Sequence, residues 1–393
     1  MMMTFYLNAL GLINALGQGK EEISRRLFTG DTGGMTRKDG YLADRAVMAG
    51  AIEGELPPIS ADLVRYDSRN NRMLLAALLE IEPDIRAAIA KYGAERVAVI
   101  LGTSTSGIGD NEPGIAEKVK GGSFPEGFDY DRQDNASLAY FVRSYFGLTG
   151  LAMTISTACT SSAKTLASAR RMIAAGFCDA AIVGGADTLC RLTMNGFASL
   201  DLVSGDLCNP FSQNRGGINI GEGAAVFLMS REKSGVRVAG IGETSDAYHM
   251  STPDPDGRGA FTAMERALTE SGLAPKEIAY LNLHGTATEL NDSMEAKAVY
   301  ELLGPVPCSS TKPLTGHTLG AAGATELAFL YLALGSEDGL LPPHAWDGAT
   351  DPSLPPLHLV APGERVPGAR AMMTNSFAFG GNNISVILSK ESD

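Results

Sequence analysis

Met153-Thr154-Ile155-Ser156-Thr157-Ala158-Cys159-Thr160-Ser161-Ser162-Ala163-Lys164-Thr165-Leu166-Ala167 decides how the rest of the chain is read. Met153–Ser156 has the composition of a short buried strand. From Ser162 to Ala175 the residues are small or apolar at helical spacing. Cys159 stands where the strand gives way to the helix. Unpaired N–H groups and the helix dipole at such a point favour a thiolate. A thiolate attacks thioesters well, and its product is another thioester, so an acyl group is held with little loss of energy. The other reading is a buried structural cysteine.

Two further segments share this plan. His284 follows the strand-like Tyr280-Leu281-Asn282-Leu283 and opens a turn, Gly285-Thr286-Ala287-Thr288. An imidazole there donates to a developing oxyanion or moves a proton, and Thr286 and Thr288 suit a polar substrate arm. His317 lies in Gly316-His317-Thr318-Leu319-Gly320-Ala321-Ala322-Gly323, flanked by Lys312 and Glu326. Alone, each histidine is equally well a satisfied turn or core residue. Taken in order with Cys159, the three segments point to acyl-thioester chemistry. Asn375-Ser376-Phe377-Ala378-Phe379-Gly380-Gly381-Asn382-Asn383 reads as a glycine-bordered loop whose two aromatics wall a tunnel. His249 stands in a loop or a site entrance, and His344 and His358 read as structural or surface residues. Gly102–Gly107 lacks the Lys-Ser/Thr ending of a nucleotide loop, which excludes that function.

Around these segments, strand-like runs alternate with helical patterns, an α/β arrangement. The runs are Phe5–Leu10, Val97–Leu101, Met153–Ser156, Ala180–Val183, Ala224–Met229, Val236–Ile241, Ala279–Leu283, Ala371–Thr374 and Ile384–Leu388. Helices are expected over Arg72–Tyr92, Ser162–Ala175, Phe261–Ser271, Asp292–Leu303 and Ala324–Leu334, with Asp292 and Glu295 forming a capping-box pattern. A second small-residue helix is expected to open at His317. Asp110–Asp134 reads as a surface excursion. The polar stretch Ser230–Gly235 divides the chain into residues 1–233, carrying the cysteine, and 234–393, carrying the two histidines.

The net charge of −13 argues against nucleic acid or an anionic membrane as the main partner. No run of about 20 apolar residues is present to span a bilayer. The five cysteines show no CxxC spacing, so neither zinc nor a disulfide framework is expected. These features suit a cytoplasmic protein without a bound metal.

The combination resembles the β-ketoacyl-acyl carrier protein synthases of the thiolase superfamily. The resemblance rests on the Cys159, His284 and His317 segments, Gly184-Gly185-Ala186-Asp187, Gly221-Glu222-Gly223-Ala224, Asp246–Met250 and Asn375-Ser376-Phe377, and runs from Leu7 to Leu388. It implies a five-layer αβαβα fold of two similar halves and an acyltransferase that performs a decarboxylative Claisen condensation. Cys159 would take the acyl group from the phosphopantetheine arm of an acyl carrier protein. The N–H groups of Cys159 and Phe379 would hold the oxyanion. His284 and His317 would bind the malonyl thioester oxygen, supported by Lys312 and Glu326.

The resemblance further implies that Thr286 and Thr288 contact the arm. Phe379 gates the site beside Phe377, and Ile108 and Phe197 line the acyl pocket. Arg69 and Arg72 would meet the acidic carrier. No cofactor is implied beyond the carrier-bound arm. The expected assembly is a homodimer, or a heterodimer with a chain-length factor. Departures from the family pattern fall at Thr160, Lys164, Asn209, Ser212, Glu289, Asn291, Ala378 and Asn382. They leave the triad intact and favour a specialised pathway, such as aryl polyene synthesis, as the alternative to fatty acid elongation. A degradative thiolase would need a second catalytic cysteine near the C-terminus, and the last cysteine of this chain is Cys308. A non-enzymatic chain-length factor would lack Cys159. On this reading His317→Ala spares acylation of Cys159 better than malonyl decarboxylation.

Overall fold

The computed structural model describes residues 3–390. Ten strands form its frame. In the first half they are β1 (Tyr6–Asn14), β2 (Val97–Gly102), β3 (Ala152–Ile155), β4 (Ala180–Asp187) and β5 (Gly223–Ser230). In the second they are β6 (Val236–Ser245), β7 (Tyr280–Asn282), β8 (Pro307–Ser309), β9 (Ala371–Phe377) and β10 (Asn382–Lys390). The first half-sheet runs β3-β2-β4-β5-β1 and the second β8-β7-β9-β10-β6. In both, the outer two pairs are parallel and the inner two antiparallel. The half-sheets meet where β1 touches β6 at Tyr6 and Arg237. His358–Leu359 extends the β8 edge.

Six helices complete the layers: α1 (Arg69–Leu79), α2 (Ala136–Tyr145), α3 (Ser161–Ala174), α4 (Arg258–Ser271), α5 (Glu289–Leu303) and α6 (Ala322–Gly335). Helices α1 and α2 cover the outer face of the first half-sheet, and α4 with α5 the outer face of the second. Between the sheets, α3 and α6 pack on each other. The result is five layers, αβαβα. The middle layer explains the small residues at the start of α3 and α6. A Cβ on Gly323 would stand 2.6 Å from the Ala163 Cβ, so two central helices this close tolerate little side-chain volume. β4 and β5 are buried at all eight of their positions, which is why they read as continuous apolar runs.

Each strand-like run of the sequence falls on one of these strands. Four other expectations change. Arg72–Tyr92 is two helices, α1 and Glu82–Tyr92, because Pro83 cannot continue a helix but suits a new first turn. The surface excursion holds a helix, Ile108–Gly121. Helix α5 starts at Glu289, so Asp292 and Glu295 lie within it and are not its cap. His317 precedes α6 by a short 3₁₀ turn, Leu319–Ala321. Strand β8 carries little signature in the sequence because Pro307-Cys308-Ser309 is short and polar.

Candidate active site

The turn after β3 is held by its own hydroxyls. Ser161 Oγ donates to the Ala158 carbonyl at 2.6 Å and accepts from the Thr157 amide at 2.9 Å. Ala158 is left at φ 52°, a conformation an L-residue adopts only when its surroundings require it. This sets Cys159 at the mouth of α3, facing the second half.

His284 leaves the end of β7. Its amide and that of Gly285 each donate to the buried Glu295 carboxylate at 2.8 Å. Asp292 accepts from the amides of Ala287, at 3.2 Å, and Phe211, at 2.8 Å. Thus α5 turns two carboxylates inward to hold the loop that carries the histidine. His317 is pinned by backbone on both sides: its N–H donates to Asn219 at 2.7 Å and its carbonyl accepts from Gly221 at 3.0 Å. Gly316, at φ 71°, passes so near that a Cβ would stand 2.7 Å from the Gly221 nitrogen.

The three side chains converge. His317 Nε2 lies 3.0 Å from Cys159 Sγ. The His284 and His317 rings are 5.3 Å apart and nearly perpendicular. Cys159 Sγ and a ring nitrogen of each histidine fall within 4.8 Å of one another. All three residues are buried. Burial pushes the Cys159 thiol up to about 12, against the pull of the Lys312 charge. This reverses the expectation of a resting thiolate. Burial, with Lys312 adding to it, also holds both imidazoles well below their ordinary range, so both are neutral near pH 7. The site therefore rests as a thiol beside a neutral base, and the proton moves only when an electrophile draws the sulfur forward. Neither buried Nδ1 has a protein partner among the described residues, so the His317 tautomer is set only by the thiol at its Nε2.

Lys312 Nζ donates to Glu326 Oε1 at 2.5 Å and to the His284 carbonyl. The two ions are a direct buried pair rather than one bridged by water. The positive end lies against the histidine's own backbone.

Phe377 is buried edge-on to His284, with ring centres 6.1 Å apart. The Phe379 ring packs on Phe197 at 5.6 Å. With Thr286, Thr288 and the exposed His249 they line a cavity of about 250 Å³ that contains the triad. Thr286 and Thr288 hydroxyls bond each other at 2.9 Å. The amides flanking Phe379 are engaged, Ala378 with the Asn382 carbonyl and Gly380 with that of Met250. The Phe379 amide has no acceptor among the described residues and stays free for an oxyanion.

Three of the expected residues lie apart from this cavity. Ile108 does not line this cavity. Arg69 and Arg72 line a separate polar cleft, and neither offers a free guanidinium. Arg69 forms a fork with the buried Glu222, Nε at 2.9 Å, and Arg72 grips Asp67 through two bonds of 2.6 Å.

Comparison with known proteins bears on this geometry. Residues 12–234 match the N-terminal domain model of beta-ketoacyl synthases, and residues 236–345 match the C-terminal domain model. The chain belongs to the beta-ketoacyl synthase family. Such synthases are acyltransferases, and this one has the thiolase fold. It is similar to a ketosynthase (ApeO) from Xenorhabdus doucetiae solved in complex with its chain length factor (ApeC), at 44% identity and TM-score 0.94 over 99% of this chain and 98% of that one. The ishigamide ketosynthase/chain length factor aligns over the whole of both chains at 25% identity and TM-score 0.85. A 3-oxoacyl-[acyl-carrier-protein] synthase 2 from Vibrio harveyi is 32% identical over 80% of each chain.

Within this synthase, three supporting acids were not singled out as site residues in the sequence. Glu295 and Asp292 looked like caps. Asp187 looked like a motif ending, yet it is fully buried and gathers the loop after β2. It accepts from the Thr103 hydroxyl at 2.6 Å, the Ser104 and Thr105 amides at 2.8 Å each, and the Ala321 amide at 3.2 Å. The available signal was an acid at the end of an otherwise apolar strand.

Proposed function

We propose that this synthase condenses an acyl group held on Cys159 with a malonyl group, both delivered by an acyl carrier protein, and that it is the ketosynthase subunit of a pair completed by a chain-length factor. The observation that carries the chemistry is the 3.0 Å contact between Cys159 Sγ and His317 Nε2. In the first step the sulfur attacks the acyl thioester carbon. Its proton passes through His317 Nε2 to the departing pantetheine sulfur. The Cys159 and Phe379 amides hold the intermediate's oxyanion. In the second step the malonyl carboxylate leaves as carbon dioxide, and the electron pair it leaves behind builds an enolate whose oxygen is held by His284 and His317. The enolate carbon then attacks the Cys159 thioester. A carbon–carbon bond forms, the carbon–sulfur bond breaks, and the thiolate takes up one proton from solvent.

The same contact changes the division of labour expected from sequence. His317 is the immediate neighbour of the sulfur, so it serves acylation as well as decarboxylation, and His284 is the more specialised of the two. The reactions proceed without a bound cofactor. Residues 1–233 and 234–393 are taken as a duplicated unit. The five buried, unpaired cysteines suit a reducing cytoplasm.

The heterodimer reading is supported by the similarity to ApeO, which was solved with its chain length factor. The relatives named 3-oxoacyl-[acyl-carrier-protein] synthase 2 favour a second reading, a homodimer that elongates fatty acids. Intact-protein mass spectrometry with a panel of acyl carrier proteins, followed by malonyl carrier protein, tests both. An adduct on Cys159, discharged as a product two carbons longer by the lone chain, supports the homodimer. Loading or discharge that requires an added chain-length factor supports the pair. No adduct under either condition overturns the proposal.

A further inference from the structure

Two of the departures from the family pattern touch each other. Lys164 lies on α3, five residues after the nucleophile, and is mostly buried. Its Nζ donates to Asn382 Oδ1 at 2.9 Å, with Glu243 Oε1 4.0 Å away. Asn382 ends the loop that carries Phe379, and its carbonyl closes that loop by accepting from the Ala378 amide at 2.8 Å. On its other flank the loop is tied to a neighbouring segment: Gly380 N–H donates to the Met250 carbonyl at 2.8 Å, and Asp246 N–H to the Gly381 carbonyl at 2.7 Å. Gly380 and Gly381, at φ 82° and 78°, give the loop its bend. The Phe379 ring rests on Phe197 and lines the cavity over Cys159.

We infer that Lys164 is a positioning residue that holds the Phe379 loop closed over Cys159 by its hydrogen bond to Asn382. The bond is charge-assisted and partly buried, which makes it stronger than a neutral surface contact. It also joins the loop to the helix that starts at the nucleophile. A change in the turn at Cys159 on acylation is thereby transmitted to the loop that admits the next substrate.

This inference rests on the reading of Phe379 as a gate above a nucleophilic Cys159, so the test uses a probe that needs no carrier protein. Iodoacetamide alkylation of Cys159 is followed by intact mass. Lys164→Met and Asn382→Ala each break the bond from one side, and Phe379→Ala sets the rate of an open site. Each single variant is expected to alkylate about tenfold faster than the parent, the equivalent of one lost hydrogen bond to a charged group. The double variant should be no faster than either single, because both remove the same bond. Loss of the lysine's charge acts in the opposite direction, since a positive neighbour favours the thiolate. Unchanged or slower alkylation in both single variants, with Phe379→Ala faster, overturns the inference. So does a double variant in which the two effects add. If the variants behave as expected but no carrier loads Cys159, the proposed function fails while the tether stands.

Discussion

The two halves share a frame and differ in what stands at the ends of equivalent strands. In the first half, β2 ends in Thr103, Ser104 and Thr105, whose donors close on Asp187. In the second, the equivalent β7 ends in His284, whose backbone closes on Glu295 while its ring faces the site. β3 of the first half leads to Cys159 at the start of α3, and the equivalent β8 leads to His317 just before α6. Equivalent strand ends thus hold a supporting hydroxyl cluster opposite a base in one pair and a nucleophile opposite a base in the other. Even the packing devices repeat. Gly11 of β1 admits the Ala77 carbonyl of α1, and Gly242 of β6 admits the Ala263 carbonyl of α4, where a Cβ would stand 2.0 and 1.8 Å away. A repeated frame yields an asymmetric site because nucleophile and bases come from opposite halves and meet across the middle layer.

The sharpest break of this comparison removes the first half's contribution. Cys159→Ala is expected to abolish the acyl adduct and lower condensation by at least about a thousandfold, since no other group holds the chain. Intact mass and a condensation assay read both, and retained turnover would show that another group holds the acyl chain. Removing the second half's contribution should split the steps. His284→Ala is expected to lower malonyl decarboxylation about a hundredfold or more, with less than about a tenfold loss in acylation. Equal losses would mean that His284, like His317, serves both steps.

The frame itself is tested by the glycine pair. Gly11→Ala and Gly242→Ala each force a helix away from a strand and should each cost about 1–3 kcal/mol in urea unfolding. Costs that differ widely would mean the halves are not mechanically equivalent.

The smallest effect sharpens the contrast between supporting acids. Burial raises Glu295 to about 7, against the bonds it accepts from Gly285 and His284. Its carboxyl therefore binds more protons folded than unfolded, and its contribution to stability falls as pH rises from the unfolded value of about 4.3 through the folded one. Glu295→Gln leaves one of the two amides without an acceptor. It should cost about 1–2 kcal/mol and flatten the stability profile between about pH 5 and 8. An unchanged profile would assign the titration elsewhere.

The strands and the convergence of Cys159, His284 and His317 are legible in the sequence because each has a local signature. β4 and β5 are unbroken apolar runs, and each triad member follows a strand and precedes a turn of small residues. What was not legible depends on distance. Glu295 resembles a helix cap until the start of α5 is known to lie at Glu289. Arg69 and Arg72 resemble a binding patch until Glu222, far along the chain, is seen to meet the first of them. The protonation state of Cys159 is hidden from the sequence for the same reason. A helix terminus is visible in sequence, whereas the depth to which the fold buries it is not.

That depth gives the enzyme chemical resilience. Burial holds the Cys159 thiol well above its ordinary range, so it rests as a thiol near neutral pH. Peroxide and stray electrophiles attack thiolates, so they modify an idle enzyme only slowly. The sulfur becomes reactive only in the presence of a group positioned to accept it, and selectivity is built into the resting state before any substrate is chosen.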